Sequence, residues 1–290
     1  MKKITYILVL LMAGLSLNLF AQEEGEKQKD QPIRPPFESG YLLDNQTTYV
    51  PIKGTLEMII HHRFGTIENG SSDLWGVYAP ANIRLGMNYS ITDNIQLGLG
   101  TTKFKKMQDL QYKWSILKQT RRNTIPVSVT LFGNVAVDAR EEAVFGLDYT
   151  FAHRISYFNQ LIISRKINEM FSIQIAPSFT HYNMTDTLIE HDKVAISLSG
   201  RAKISPQTSI VFNWDQPLHI QGLQEYKELT NKPLPNIGLG IEISTSTHAF
   251  HVFIASSQKI MPQETIMYNQ YDFFDRGILV GFNMTRLWNF

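Results

Sequence analysis

Apolar and polar side chains alternate along most of this chain, and a period of two is the mark of a β-strand with two unlike faces. The clearest run is Ala81 to Ser90, where Ile83, Leu85, Met87 and Tyr89 share one parity and Arg84, Gly86, Asn88 and Ser90 the other. Asn236 to Ser244 repeats it, with Ile237, Leu239, Ile241 and Ile243 against Gly238, Gly240, Glu242 and Ser244. Similar alternation begins near Leu56, Ile95, Leu110, Val127, Ile155, Phe171, Val194, Ser209, Phe250 and Ile278. About a dozen strands follow, the even number that single-chain bacterial barrels use.

Connection lengths separate a barrel from a sandwich. Short turns at Thr92 to Asn94, Lys118 to Thr124, Lys166 to Met170, Lys203 to Thr208 and Thr245 to Ala249 alternate with longer connections. Those lie around Gly65 to Pro80, Val137 to Asp148, Tyr182 to Lys193, Gln216 to Pro235 and Ser257 to Arg276, with a brief exception near Lys105 to Asp109. An up-and-down barrel puts short turns at one rim and long loops at the other, whereas Greek-key crossings have no reason to keep that rhythm. The fold class expected is therefore all-β: a closed antiparallel up-and-down transmembrane β-barrel of about 12 strands.

Composition agrees. Charged residues are 18% of the chain, against a typical ~25%, and the polar parity is rich in Gly, Ser, Asn and Gln, as a narrow lumen wants. A net charge of +1 offers no basic field for nucleic acid. There is no cysteine, hence no disulfide and no lipoprotein anchor.

The start of the chain has the parts of a secretory signal: Lys2 and Lys3, an apolar stretch from Ile4 to Phe20, and Ala21 at the cleavage position. The stretch sits at the low edge of the ~17–25 residues that span a bilayer and carries polar interruptions. The expected organisation is signal peptide 1–21, an extended and partly disordered periplasmic leader 22–52 containing Pro32, Pro35 and Pro36, and the barrel 53–290. Both barrel ends would then face the periplasm, with the long loops outside. The last strand carries Ile278, Val280, Phe282, Met284, Trp288 and Phe290 on one parity, with Arg286 the exception. A closing amphipathic strand that ends in phenylalanine is similar to the signal read by the bacterial barrel-assembly machinery, so Trp288 and Phe290 are the expected assembly signal. Outer-membrane lipid and that machinery are the expected partners, in a Gram-negative outer membrane.

Short motifs add a family resemblance. His61 to Gly65, Asn82 to Gly86, Tyr89 to Asn94 and Phe104 to Lys106, preceded by Leu43 to Thr47, resemble an uncharacterised family of Bacteroidota outer-membrane β-barrel proteins. The resemblance implies fold and location and carries no activity.

Candidate chemistry lies on the polar parity, where Glu57, His61, Arg63, Arg84, Arg154, Arg201 and Glu242 would line the lumen. Unpaired charge there is costly, and Glu57 and Arg84, on adjacent strands, are expected to pair. These residues form either a hydrogen-bonded plug that fixes register or a selectivity girdle for a small solute, whose arginine majority would favour anions. His61 and His62 point to opposite faces and cannot chelate one metal together. No metal, cofactor or catalytic motif is found: HExxH, GxSxG, Walker and dinucleotide patterns are absent. The aromatic and methionine residues of the two longest loops, Tyr226, Met261, Met267, Tyr268, Tyr271, Phe273 and Phe274, read as an interfacial girdle, with a partner or glycan site as the weaker alternative. The function expected is a narrow pore for small solutes; the alternatives are a plugged structural or ligand-binding barrel, and then a lipid-modifying enzyme. An enzyme would show a Ser, His and Asn or Asp cluster on the outer wall near the long-loop rim.

Overall fold

The computed structural model describes residues 30–186, 189–220, 223 and 232–290. The signal segment 1–21, the first part of the leader and Tyr226 lie outside the described residues. A small hairpin, β1 (Tyr41–Leu42) and β2 (Asn45–Gln46), precedes the barrel strands. These are β3 (Thr55–Thr66), β4 (Asn82–Ser90), β5 (Ile95–Thr102), β6 (Gln108–Leu117), β7 (Ser128–Val137) and β8 (Ile155–Lys166). They continue as β9 (Phe171–Tyr182), β10 (Asp192–Lys203), β11 (Thr208–Pro217), β12 (Asn236–Ser244), β13 (His248–Ala255) and β14 (Leu279–Asn289). Each pairs antiparallel with its sequence neighbour, and β14 pairs with β3 to close the ring. No sheet edge remains, so every strand amide has a neighbour to bond, as hydrocarbon surroundings require. No helix among the described residues is long and apolar enough to cross a membrane.

The alternation resolves into an outer and an inner wall. Leu85, Met87, Leu97, Leu99, Leu110, Ile241 and Val252 face outward and are exposed, while Asn88, Gln96, Ser115, Thr130, Gln174 and Ser199 face inward and are buried. Arg286, the charged exception on the outer parity, lays its guanidinium 4.7 Å from the Trp288 ring centroid, a way for a long cation to remain near a membrane interface.

The interior is filled from both ends. Against the expected extended, partly disordered periplasmic leader, Phe37, Tyr41, Leu42, Leu43, Asn45, Gln46, Thr47 and Thr48 are buried. The chain runs past the β6–β7 turn, where Pro32 bridges Thr120, rises into the lumen as the β1–β2 hairpin and returns to start β3. Leu42 and Leu43 pack with Phe37 on Val211, Phe253, Ala255 and Leu279. The leader holds enough spaced apolar residues to match apolar positions on the inner wall. Burying a Leu-sized side chain stabilises by about 1.5–3 kcal/mol, enough to offset the cost of ordering it.

From the long-loop side, the β13–β14 connection folds inward and forms α1 (Pro262–Tyr268). Pro262 occupies the first turn, where a missing N–H costs nothing. Ile266 packs on Phe132, Phe158, Ile162, Ala176 and Ala195, and Met261 on Met107 and Ala136. Met267 joins Tyr182 and Ile189. The expected interfacial girdle is thus corrected for Met261, Met267 and Tyr268, which face the lumen. Phe132, a misfit on the polar parity, is buried against Phe158 because α1 needs an apolar seat on the wall.

Candidate functional site

The register of β12, β13, β14, β3 and β4 puts ionisable and amide side chains at one level of the inner wall. Glu242 stands opposite His251, His251 opposite Asn283, Asn283 opposite His61, and His61 opposite Arg84. The belt continues through ion pairs. Arg84 forks onto Asp109 through Nε at 3.0 Å and Nη2 at 2.6 Å, and Asn134 of β7 donates to the same carboxylate at 3.1 Å. Arg201 donates to Glu242 at 2.7 Å and to Glu38 of the leader at 3.2 Å, and His251 Nε2 lies 3.2 Å from Glu242.

Six of the seven expected lumen residues, Glu57, His61, Arg63, Arg84, Arg201 and Glu242, are buried inside the barrel. Arg154 is not among them. It ends a short 3₁₀ turn, Phe151–Arg154, at the long-loop rim and bonds Tyr149 and the carbonyls of Asp138 and Arg140. The expected Glu57–Arg84 pair does not form either. Glu57 sits opposite Asn88 and accepts from Asn88 and Gln96, each at 2.9 Å, because the register places His61 across from Arg84. The arginine excess behind an anion preference is offset, since Arg63 meets Asp44 at 2.5 Å and the others meet Asp109, Glu242 and Glu38.

Of these partners sequence reasoning named both Arg201 and Glu242 and missed Asp109, His251, Asp44 and Glu38. Asp109 and His251 lay on the inward parity of strands already recognised, and that parity was the available signal. Asp44 and Glu38 lay in the leader, where alternation offered none.

Glycines on the inner wall make room for this network. A Cβ at Gly86 would meet Arg84 Nη1 at 2.7 Å, and one at Gly100 would meet both Arg84 and Asp109. Gly100→Leu is therefore expected to push Arg84 off its carboxylate and destabilise the barrel by about 1–3 kcal/mol. Urea unfolding in detergent would measure it, and a change within error would show the cradle to be adaptable.

The hairpin is held by hydrogen bonds along its length. Asn283 donates to the Leu43 carbonyl at 2.7 Å, Gln174 to the Gln46 carbonyl at 2.7 Å and Lys113 to the Gly40 carbonyl at 2.9 Å. Thr48 and Ser164 hydroxyls meet at 2.5 Å, and Asn45 donates to Ser199 at 3.1 Å. Burial, helped by the charges of Glu57 and Glu38, pushes the Tyr49 phenol up to about 12. The tip of the hairpin and the α1 loop meet in mid-barrel around a cavity of about 20 Å³, lined by Asp44, His61, Arg63 and Met261 among others.

α1 is tied in the same way. Gln263 donates to Asn134 at 2.9 Å, and Lys105 reaches Glu264 at 2.8 Å. Lys259 lies 3.4 Å from the Phe104 ring centroid, and burial holds its ammonium below the usual lysine range. Above α1, at the long-loop mouth, a second cavity of about 140 Å³ is bounded by Lys105, Asp138, Arg140, Arg154, Tyr182 and Tyr268 with neighbours.

On the outer wall, His62 stacks on Phe282 with ring centroids 4.9 Å apart. His181, near the long-loop rim, touches Asp192 at 2.7 Å and Asn183 at 3.0 Å, with no serine among its hydrogen-bond partners within the described residues.

These features define a class: a twelve-strand membrane β-barrel whose lumen is occupied by its own N-terminal hairpin and an inward-folded loop. Residues 37–288 match the family described as membrane-bound β-barrel domain, DUF5777, and the chain belongs to that family. No curated protein sequence matches the chain. Among solved structures, it is similar to the COG4313 outer membrane channel from Pseudomonas putida F1, with 10% identity, 83% of this chain and 97% of that chain covered, and a TM-score of 0.50. The KdgM porin is matched at 6% identity over 81% of this chain and 99% of that one, with a TM-score of 0.44. LpxR from Salmonella typhimurium is matched at 13% identity over 80% and 99%, with a TM-score of 0.39. The first of these likenesses shows a shared barrel fold.

Proposed function

We propose that this protein is a pore for small solutes in a Gram-negative outer membrane, closed at rest by its N-terminal hairpin. The observation that carries this reading is how the hairpin is held. The wall around it presents Ser164, Gln174, Ser199, Asn283 and Lys113, and its contacts are hydrogen bonds and an ion pair as much as apolar packing. Water can replace such bonds at little net cost. The part of the lumen left by the hairpin would wet, and conduction follows once the α1 loop, seated on Phe132 and Phe158 from the other end, also swings out.

The fold shared with an outer membrane channel and the motif resemblance to Bacteroidota barrels support the location. In that membrane the long loops face outward, and Trp288 and Phe290 serve the assembly machinery. A lipid-modifying enzyme is the weaker reading, because His181 with Asp192 lacks a serine partner within the described residues. A permanently plugged binding barrel is the second reading, favoured by the carboxylate that each of Arg63, Arg84 and Arg201 meets.

Planar-bilayer recordings separate the two readings. A chain lacking both residues 37–50 and residues 260–269, which carry α1, should conduct steadily, while the full chain should open rarely. In a chain without native cysteine, Thr48→Cys with Ser164→Cys should silence even those openings when oxidised and release them on reduction. A folded deletion variant that carries no current would leave the plugged barrel as the function.

A further inference from the structure

The mouth cavity above α1 is built unlike the rest of the interior. Elsewhere inside the barrel each arginine meets a carboxylate, but Arg154 has no carboxylate within ion-pair distance among the described residues. Its guanidinium is nonetheless immobilised. Nε donates to the Tyr149 hydroxyl at 2.5 Å, and Nη1 to the carbonyls of Asp138 at 2.8 Å and Arg140 at 2.5 Å. The same group lies 4.7 Å from the Phe145 centroid and 4.9 Å from that of Tyr149. Nη2 is left with no partner among the described residues. Arg140 forks onto Asp138 through Nε and Nη2, at 3.0 Å and 2.6 Å for the shorter contacts, which leaves its Nη1 free there too.

A structural account explains part of this. Arg154 staples the β7–β8 connection through the two carbonyls, which would justify an arginine at the position. It does not explain a fixed guanidinium that leaves Nη2 unpartnered among the described residues at the edge of an open cavity. It also does not explain Tyr182, which is buried on the cavity's inner side and whose hydroxyl, near Ser156, completes no hydrogen bond of good geometry. The remaining wall is mixed: Met107, Val144, Phe145, Met184 and Tyr268 give it apolar and aromatic faces, and Lys105, Asp138, His153, Thr185 and Asp186 polar ones, with Asp138 already held by Arg140. At about 140 Å³, the space far exceeds the ~10–15 Å³ that one water needs.

We propose that this cavity binds a small organic anion, a carboxylate on a compact apolar or aromatic body. The carboxylate would sit against Arg154 Nη2 and Arg140 Nη1, and the body against Phe145, Met107 and Tyr268. Charge-assisted hydrogen bonds to a preorganised guanidinium are the strong kind, and a half-apolar pocket rewards a hydrophobic body. The site stands whether or not the barrel conducts, since it needs the β5–β6 and β7–β8 connections, the end of β9 with the residues just after it, and α1.

Benzoate is the probe, with benzyl alcohol and benzylamine as neutral and cationic isosteres. Each is titrated into the full refolded chain in detergent at neutral pH, with binding read by calorimetry and ligand-observed NMR. Benzoate is expected to bind at least 10-fold more tightly than either isostere. Arg154→Gln should remove that preference, while Arg165→Gln, at an exposed arginine of the outer wall, should leave it intact. Retained heat-modifiable migration certifies the fold of each variant, and should Arg154→Gln lose it, Arg140→Gln takes its place. Failure of benzoate to bind, equal binding of the three compounds, or unchanged preference in the folded variant would overturn the assignment.

Discussion

Arg84→Ala is expected to cost this barrel about 3–5 kcal/mol, the range found when one member of a buried ion pair is removed. The reason is the carboxylate left behind. Asp109, whose side chain is fully enclosed, accepts two bonds from Arg84 and, among the described residues, otherwise only one from the Asn134 amide. Without the guanidinium it must ionise among neutral neighbours or take up a proton. Replacing both partners, Arg84→Met with Asp109→Leu, should recover most of the loss, because two apolar side chains of similar volume leave no charge unpaired. The contrast between the single and the double variant, read by urea unfolding in lipid vesicles, distinguishes a cost of unpairing from a net contribution of the pair. A single variant that loses less than about 1 kcal/mol would mean that water reaches the belt freely and screens Asp109.

The second large effect belongs to the outer wall. Leu99→Arg places a cation near the middle of β5, between Met87 and Leu110 on the neighbouring strands, where all three side chains are exposed outward. If hydrocarbon surrounds this wall, the substitution costs about 2–4 kcal/mol at the midplane, falling toward the interfaces. The same change in an aqueous setting would be nearly neutral. Vesicle unfolding of Leu99→Arg beside Thr101→Arg, two residues along the same face toward the long-loop rim, should show the larger loss at Leu99. Equal and small losses would mean that this face does not meet lipid.

Strand parity was legible from residues alone because it is a local property. Ile83, Leu85, Met87 and Tyr89 declare their face within ten residues, and the alternation of short and long connections declares the topology. The seven candidate residues show where that reading stops. Six fell inside the barrel because parity is sufficient to say in or out. Arg154 fell at the rim because the strand begins at Ile155, one residue later. Pairing needed register, and a shift in register changes every partner while leaving every face the same. Glu57 and Arg84 therefore share a face and are not partners.

The leader carried the larger surprise. Proline and polar residues made it read as disordered, and nothing local marks Leu42 and Leu43 as buried. Their contacts are Val211, Phe253, Ala255 and Leu279, and Asn45 meets Ser199.

By itself, the sequence determined a closed ring of strands, which strand residues face outward, and which line the interior, because side-chain direction in a strand depends only on counting by two. Only the tertiary structure decided that the interior is filled, which carboxylate neutralises each arginine, and that Arg154 stands apart at a mouth cavity. Those outcomes depend on contacts between segments far apart in the chain, whose strength is set by shape and charge in three dimensions.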